Sequence, residues 1–326
     1  MAQTAFVTGA NGFIGVNLVQ ELVNQGWQVT AMHRPTSDTT YLSRFPVDLV
    51  EGSITDIESL RSAVPDGTDV IFHVAGDTNF WSKLNDRQTA VNVTGTENMI
   101  TVAKEKGVAC FIHTSSINAW GEVSGHVTEE TPKRGMDSKV NYNYTKWAGG
   151  QAALQGADDN LKVVVLCPAA VMGPFDVTGW GRIFLITRDG DFPFSPPGAI
   201  NITHVREVVK AHVAAVEKGR PGATYILAGY ECQLRELTGE IARCLGLEPS
   251  RTISPFLLRL MGRLSVMGAA ITGKPPLMTP EMAANFSRPT MSFASDLAVA
   301  ELEYELVPME TCVKDAYDWL VAEGLL

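Results

Sequence analysis

The sequence Thr8-Gly9-Ala10-Asn11-Gly12-Phe13-Ile14-Gly15 follows an apolar run that begins at Ala5, and it opens a helical pattern. When a strand ends in closely spaced glycines and turns at once into a helix, a diphosphate can approach bare backbone at the positive end of the helix dipole. The first glycine permits the tight turn, the second the close approach, and the third close packing of helix on strand. The spacing is Gly-x-x-Gly-x-x-Gly rather than the commoner Gly-x-Gly-x-x-Gly. The motif predicts a dinucleotide site, and the rest of the chain has to support it.

Short β-branched runs alternate with longer helical patterns through the first half of the chain, which is typical of a doubly wound parallel α/β sheet of the Rossmann type. We predict strands at 4–8, 28–32, 47–51, 70–73, 110–114 and 162–167, and helices at 12–25, 57–63, 86–106 and 142–155. Ligands of such sheets bind at the carboxyl ends of the strands. Residues 1–173 are therefore predicted to form the dinucleotide-binding domain. Residues 174–326 are predicted to form mainly a smaller, partly discontinuous substrate-binding region, with segments near 200–228 returning to the first domain.

The composition is that of an acidic globular protein. The 326 residues are 45% apolar and carry a net charge of −10, which argues against nucleic acid or an anionic membrane as the main partner of the surface. The five cysteines form no Cys-x-x-Cys pair and predict free thiols in a reducing compartment. The chain enters its first strand by Ala5, which leaves no room for a signal peptide, so we expect a cytoplasmic protein.

The longest apolar stretch is Pro255–Thr272, and Arg259 and Arg263 interrupt it. It is too short and too polar for a good membrane span, so no stable membrane insertion is predicted. Three interpretations stay open for this stretch: a helix packed on the second region, a lid over an apolar substrate, or a surface that touches a membrane.

The second predicted strand ends at His33-Arg34-Pro35, where a nicotinamide enzyme meets the adenosine ribose. An NAD-preferring site would place Asp or Glu at this strand end to bind the 2′-hydroxyl, and none is present. Arg34 can instead make charge-assisted bonds to a 2′-phosphate and lie against the adenine. NADP(H) is therefore favoured and NAD(H) is the alternative, in which Arg34 is a solvated loop residue.

Tyr142 and Lys146 stand four residues apart at the start of a helical pattern and thus share one helical face. An ammonium near a phenol favours the phenolate and lowers the phenol pKa, which suits the tyrosine to proton exchange with a carbonyl or alcohol oxygen. The sequence Thr114-Ser115-Ser116 ends a predicted strand and offers a hydroxyl to the same oxygen. These residues predict catalysis by Tyr142 and Lys146 together with a hydroxyl of the Thr114-Ser115-Ser116 run, and no metal.

With these features the chain resembles the extended short-chain dehydrogenases/reductases over nearly its whole length. The motifs that carry the resemblance are Gly9/Gly12/Gly15, His73-Val74-Ala75-Gly76, Asn92 in Val91-Asn92-Val93-Thr94-Gly95-Thr96, Thr114-Ser115-Ser116, Tyr142-x-x-x-Lys146, and Pro168 followed by Gly173-Pro174. The resemblance implies that Tyr142 is the general acid, that Lys146 lowers its pKa and binds the nicotinamide ribose, and that Ser116 polarises the reacting oxygen. The family's catalytic serine stands five residues before a glycine, here Gly121, which favours Ser116 over Ser115.

The same resemblance implies a set of cofactor contacts. Backbone contacts to the diphosphate are implied for Asn11, Phe13 and Ile14, and contacts to the adenine for Asp56 and Ile57. Further cofactor contacts are implied for Val74, Ala75, Gly76, Asn92, Thr114, Pro168 and Val171.

Within the family the chain looks most like the dihydroflavonol-reductase branch and the hopanoid-associated proteins near it. The resemblance rests on residues 33–37, 73–81 and 201–205. Sugar-nucleotide enzymes usually carry Arg where this chain has Cys167, and an Arg-Asp-aromatic segment where it has Asn201-Ile202-Thr203. A sugar diphosphate needs cationic partners, so these departures favour a less charged carbonyl substrate. Tyr144 stands beside Tyr142, but only Tyr142 has the required spacing to Lys146.

We therefore predict an NADPH-dependent reductase of an apolar or aromatic ketone or aldehyde. Its substrate pocket is predicted to include Phe80, Trp81, Ser116, Met172, Phe175 and Phe184. The alternatives are an NAD-dependent sugar-nucleotide epimerase or dehydratase and a non-catalytic protein that senses NADP. Small residues from Ala148 to Ala153 are compatible with a homodimer through that helix, and equally with packing inside the chain.

Overall fold

The computed structural model describes residues 2–191, 193–290 and 292–326. Its strands are β1 Thr4–Thr8, β2 Gln28–His33, β3 Asp48–Glu51, β4 Val70–His73, β5 Cys110–Thr114, β6 His126–Val127, β7 Lys162–Pro168, β8 Ala170–Met172, β9 Phe194–Ser195, β10 Ala199–His204, β11 Thr224–Leu227, β12 Tyr230–Gln233, β13 Arg251–Thr252 and β14 Ser292–Phe293. Its α-helices are α1 Phe13–Asn24, α2 Ile57–Ala63, α3 Asn85–Thr89, α4 Gly95–Glu105, α5 Asn141–Gln155, α6 Arg182–Asp189, α7 Val205–Glu217, α8 Leu234–Cys244, α9 Pro255–Thr272, α10 Pro280–Asn285, α11 Asp296–Leu302 and α12 Met309–Ala322.

A seven-stranded parallel sheet with the order β11-β7-β5-β4-β1-β2-β3 forms the centre of the molecule. The strand order reverses between β1 and β4, whose last residues Thr8 and His73 are register partners. Along β1, Phe6 and Val7 pack into different buried clusters on the two faces of the sheet. This is the expected doubly wound fold, and the reversal opens a crevice at the carboxyl ends of β1 and β4.

The predicted strands and most predicted helices of the first half are confirmed to within one or two residues. The helix predicted at 86–106 differs, because residues Ala90–Thr94 form a π-helical turn between α3 and α4. The Thr96 hydroxyl donates to the Asn92 carbonyl at 2.9 Å, and a Cβ on Gly149 of α5 would collide with that carbonyl. A side-chain donor within the helical ladder and close approach of α5 accompany this local change of helix type.

The second region is built on a three-stranded sheet in the order β12-β10-β8. Helices α8 and α12 pack with it around a buried apolar cluster that includes Ile202, Leu237 and Leu320. Strand β11 returns to the edge of the main sheet, whereas β10 lies in the smaller sheet. The boundary at residue 173 stays a prediction.

Helix α9 begins and ends at residues suited to those positions. The Ser254 hydroxyl caps its first turn by accepting from the Leu257 amide, and Gly273 ends it with a φ of 69°. One face of α9 packs on α10 around Leu258, Met278 and Ala283. Of the helices in the described part of the chain, none has the length and apolar character needed to cross a membrane.

The small residues of α5 pack within the chain. Gly149 lies against the Asn92 carbonyl, and a Cβ on Gly150 would lie 3.6 Å from the Ser115 hydroxyl. These two glycines are buried, as is Ala153. The homodimer therefore stays a prediction that the packing of α5 does not require.

Candidate active site

The glycine turn lies at the crevice between β1 and β4. Gly9 has a φ of 65°, and a Cβ there would lie 2.7 Å from backbone atoms of Ala75. Gly15 stands so close to the Gly9 carbonyl that any side chain would overlap it. Gly12 is exposed and stands immediately before α1, whose first turn has no acidic residue. Bare backbone and the free amides of a helix start therefore face this crevice, as a diphosphate requires.

The remaining residues predicted beside the diphosphate lie next to this turn. Phe13 and Ile14 are partly buried against the core at the start of α1, and Asn11 is partly exposed. Across the crevice, the β4 end leaves Gly76 exposed and Val74 and Ala75 half-buried. These two strand ends form one continuous surface of small groups and backbone.

Asn92 joins the β4 end to helix α5. Its side-chain oxygen accepts from the Asp77 amide at 2.7 Å, and its amide donates to the Asp77 carbonyl at 2.9 Å and to the Thr145 hydroxyl at 3.0 Å. Only 4% of the Asn92 surface is exposed, and its hydrogen bonds hold the loop after β4 against α5.

The end of β5 directs three neighbouring side chains to different partners. Thr114 bonds His212 at 2.8 Å through its hydroxyl, and its carbonyl accepts from the Lys146 ammonium at 3.1 Å. The Ser115 hydroxyl donates to the Lys146 carbonyl at 3.0 Å. The Ser116 hydroxyl instead lies close enough to the Tyr142 phenol to lower the pKa of that phenol. Of the two serines, Ser116 is thus the one placed beside the tyrosine.

Tyr142 and Lys146 are both buried on the inner face of α5. The Tyr142 ring lies 5.1 Å from the Phe80 ring, and a Cβ on Gly76 would lie 3.1 Å from the Lys146 ammonium. Tyr144 is 37% exposed and packs on Trp147. The geometry therefore brings Ser116, Tyr142 and Lys146 together with the end of β4 and leaves Tyr144 outside.

Burial controls the ionisation of this group. It raises the pKa of Tyr142 to about 12, against the opposing effect of hydrogen bonds from Ser116 and Asn118. It lowers the pKa of Lys146 to about 8, opposed by the negative charge of Asp77. The expected lowering of the Tyr142 pKa by Lys146 is not found here. Tyr142 keeps its proton at neutral pH, as a proton donor must.

Arg34 is exposed at the end of β2. Across residues 2–191, 193–290 and 292–326, no hydrogen bond or ion pair engages its guanidinium. Three residues later the Ser37 amide donates to the Arg34 carbonyl at 2.9 Å, and the buried Ser37 hydroxyl has no partner within the described ranges. The turn thus offers two uncommitted polar groups at the strand end.

The other predicted cofactor residues have mixed surroundings. The Asp56 carboxylate caps α2 by accepting from the Glu58 and Ser59 amides, and Ile57 begins that helix half-buried. Pro168 ends β7, and its carbonyl accepts from the Ser116 hydroxyl at 3.5 Å. Val171 is buried in β8.

The predicted substrate residues do not lie in one place. Phe80 lies against Tyr142, and Trp81 follows it half-buried under the Lys83 ammonium. Phe175 packs in an aromatic cluster with Tyr41 and Trp319. Met172 and Phe184 are completely buried in the core of the second region. The structure therefore brings only the β4 loop aromatics to the tyrosine.

Two functional candidates escaped the sequence reasoning. Asp77 directly follows Gly76, and its carboxylate accepts from the Asn79 amide at 3.0 Å and pairs with Arg87 at 2.8 Å. Asn118 donates to the Ser116 hydroxyl from its side-chain amide at 3.4 Å, and it also acts to lower the pKa of Tyr142. The positions of both residues in the sequence could have identified them, because each follows the end of a predicted strand by a few residues.

An open depression lies beside the tyrosine and leads to solvent. Its lining includes Phe80 from the loop after β4, Tyr142 from α5, Lys139 from the loop before α5, and Glu281 from α10. The depression thus lies between the loop after β4, the start of α5 and helix α10.

Comparison with known proteins identifies the family of the chain. The model of the NAD dependent epimerase/dehydratase family matches residues 5–228. A putative dihydroflavonol 4-reductase of Synechocystis sp. is 28% identical over 99% of this chain and 96% of that protein. Sterol demethylase protein B of Methylococcus capsulatus is 32% identical over 76% of this chain and 78% of that protein.

Among solved structures, the crystal structure of gox2253 superposes with a TM-score of 0.84 at 30% identity and covers 99% of both chains. The matches extend through the glycine turn, the β5 end and α5, which hold the site described above. The chain belongs to the NAD-dependent epimerase/dehydratase family within the extended short-chain dehydrogenases/reductases, and it is an NAD(P)-dependent oxidoreductase.

Proposed function

We propose that this protein is an NADPH-dependent reductase of a ketone or aldehyde on an apolar or aromatic small molecule. The observation that carries the proposal is the convergence of the Ser116 hydroxyl on a buried, protonated Tyr142 phenol, one helical turn from Lys146. Phe80 provides an apolar surface beside that phenol.

Each of these residues has a role in the proposed reaction. A bound reduced nicotinamide supplies the hydride. Tyr142 donates its proton to the carbonyl oxygen as that oxygen gains negative charge, and Ser116 orients the oxygen by a hydrogen bond. Lys146, whose ammonium is anchored on the Thr114 carbonyl, stabilises the phenolate that remains.

The preference for NADPH is proposed from the turn after β2. Arg34 offers an unengaged guanidinium, and Ser37 a buried hydroxyl, at the place where the adenosine ribose would lie. A guanidinium and a hydroxyl match the charge and hydrogen-bonding capacity of a 2′-phosphate. The α2 cap at Asp56 would place that helix beside the adenine.

Three positions support the proposed substrate class, because each is buried or hydrogen-bonded within the protein and is not free to bind a sugar diphosphate. Cys167 is completely buried, the Asn201 side chain holds both backbone groups of Gly229, and Thr203 bonds Tyr304. None of these three positions supplies a cation for a sugar diphosphate. An uncharged carbonyl compound fits this arrangement better than a nucleotide sugar.

The first experiment is a substrate panel in which NADPH oxidation is followed with aromatic aldehydes, ketosteroids, flavanonols and β-ketoesters. A parallel panel of nucleotide sugars is analysed for epimerised or dehydrated products. Net NADPH oxidation with a carbonyl compound supports the proposal. Copurified, tightly bound NAD together with turnover of a nucleotide sugar and no NADPH consumption would replace it with the epimerase alternative. Cofactor binding without turnover on either panel would favour a sensor.

A further inference from the structure

Helix α9 presents an exposed apolar face to solvent. Phe256 is 76% exposed, Leu264 56%, Met267 63% and Ile271 87%. Leu260, which lies between them, is also exposed. We call these five residues the α9 apolar face. Contiguous exposed apolar surface of this kind marks a site of interaction.

The helical geometry separates this face from the packed one. At 3.6 residues per turn, the five side chains fall within a sector of about 80°. Leu258, Gly262 and Ala269 are buried on the opposite side, where α9 packs on α10. The apolar face therefore cannot serve as a lid in this arrangement, because it points away from the protein.

The charge around α9 is opposite to that of the whole chain. Residues 249–280 hold four cations, Arg251, Arg259, Arg263 and Lys274, and no carboxylate, in a chain of net charge −10. Arg259 and Arg263 are exposed and fall on one flank of the apolar face. An apolar stripe flanked by exposed cations matches the layered chemistry of an anionic lipid surface, with acyl chains beneath phosphates.

We propose that α9 is an interfacial helix that docks the protein on an anionic phospholipid bilayer. The helix would lie in the plane of the surface, with the α9 apolar face below the headgroups and the arginines among the phosphates. A symmetric contact between two copies through this face fits less well, because it would bring the cations of both copies into one interface.

Helix α9 lies close to the depression that contains Tyr142. Helix α9 packs directly on α10, and Glu281 of α10 lines the depression that contains Tyr142. Docking through α9 would therefore place the depression one helix away from the membrane surface. Docking through α9 does not depend on the chemistry at Tyr142.

The test is flotation of the full chain with vesicles of phosphatidylcholine alone and with an equimolar mixture of phosphatidylcholine and phosphatidylglycerol. We expect binding to the anionic vesicles that weakens as salt is raised. The triple variant Phe256→Ser, Leu264→Ser, Ile271→Ser should lose binding by roughly tenfold or more, because the apolar area no longer leaves water. The double variant Arg259→Gln, Arg263→Gln should lose roughly fivefold for each charge.

The matched control substitutes exposed apolar residues outside the face, Leu306→Ser with Val321→Ser, which are 41% and 46% exposed. This variant should bind as the parent does. Thermal unfolding and NADPH binding of all variants report whether the fold is intact.

Equal flotation with zwitterionic and anionic vesicles, or no flotation with either, would overturn the proposal. So would retention of binding in the triple variant. Concentration-dependent dimers that the triple variant abolishes, in a parent that ignores vesicles, would assign the face to a second copy instead.

Discussion

At the glycine turn after β1, close contact with the chain's own backbone determines which residue types fit. The α9 apolar face has no such contact among the residues that the structure describes. At the turn, Gly9 and Gly15 lie against backbone atoms that leave no room for a Cβ. In α9, Gly268 has no atom within 4 Å of the place where a Cβ would stand, and the apolar face has no partner in the described chain. Glycines that the neighbouring backbone requires mark the candidate active site. Apolar residues that no other part of the described fold covers indicate a surface that binds another molecule.

The largest expected effect is on catalytic activity, which should depend on Tyr142 and not on α9. Tyr142→Phe should lower kcat for carbonyl reduction by roughly a thousandfold, because the proton donor is lost. Tyr144→Phe, which alters an exposed neighbour, and Ile271→Ser in α9 should leave the rate on a water-soluble ketone unchanged. Steady-state NADPH oxidation measures all three. Comparable losses in Tyr142→Phe and Tyr144→Phe would contradict the assignment of the donor.

Replacing one helical glycine in each region with alanine tests the same difference through the free energy of unfolding. Gly15→Ala should destabilise the protein by roughly 2–3 kcal/mol and weaken NADPH binding, because its Cβ overlaps the Gly9 carbonyl. Gly268→Ala should stabilise it by roughly 0.5–1 kcal/mol, since alanine favours an unobstructed helix. Chemical denaturation of both variants measures the difference. Equal destabilisation by the two substitutions would remove the steric distinction between the regions.

The pH dependence of kcat/KM tests the electrostatics of the first region. Lys146 is protonated below its pKa of about 8 and neutral above it. Reduction should therefore be constant on the acid side and fall about tenfold for each pH unit above that value. Asp77→Asn should move the fall to lower pH, because Asp77 raises the pKa of Lys146. An alkaline limb that stays in place in Asp77→Asn would mean that another group controls it.

The smallest expected effect on catalysis concerns the choice of cofactor. Arg34→Ala should raise the KM for NADPH by roughly tenfold and leave the KM for NADH nearly unchanged, because only NADPH carries the 2′-phosphate. Arg44→Ala is a suitable control, since that guanidinium is paired with Glu323 instead. An intact preference for NADPH in Arg34→Ala would show that the phosphate is bound elsewhere.

The parts that sequence predicted best are those set by local backbone rules. Strands β1, β4 and β5 were predicted with their observed bounds, and strand ends collect functional side chains wherever the sheet is parallel. The helical spacing of Tyr142 and Lys146 likewise placed both on one face of α5 without knowledge of the fold.

The parts that sequence missed depend on packing between distant segments. The π-helical turn at Asn92 accompanies the approach of Gly149 from α5, which is more than fifty residues away. Met172 and Phe184 are apolar like pocket residues, but the second region buries them in its core. Burial also reversed the expected direction of the Tyr142 pKa, because desolvation of the phenol outweighs its hydrogen bonds.

The most direct test of the central claim follows a label from cofactor to product. NADPH deuterated at the transferable position of its nicotinamide is incubated with the carbonyl compound that the panel identifies, and the product is analysed by mass spectrometry. We predict one deuterium on the new alcohol carbon, formed at the rate of NADPH oxidation and nearly abolished in Tyr142→Phe. Label that stays with the cofactor while a nucleotide sugar is epimerised would contradict the account.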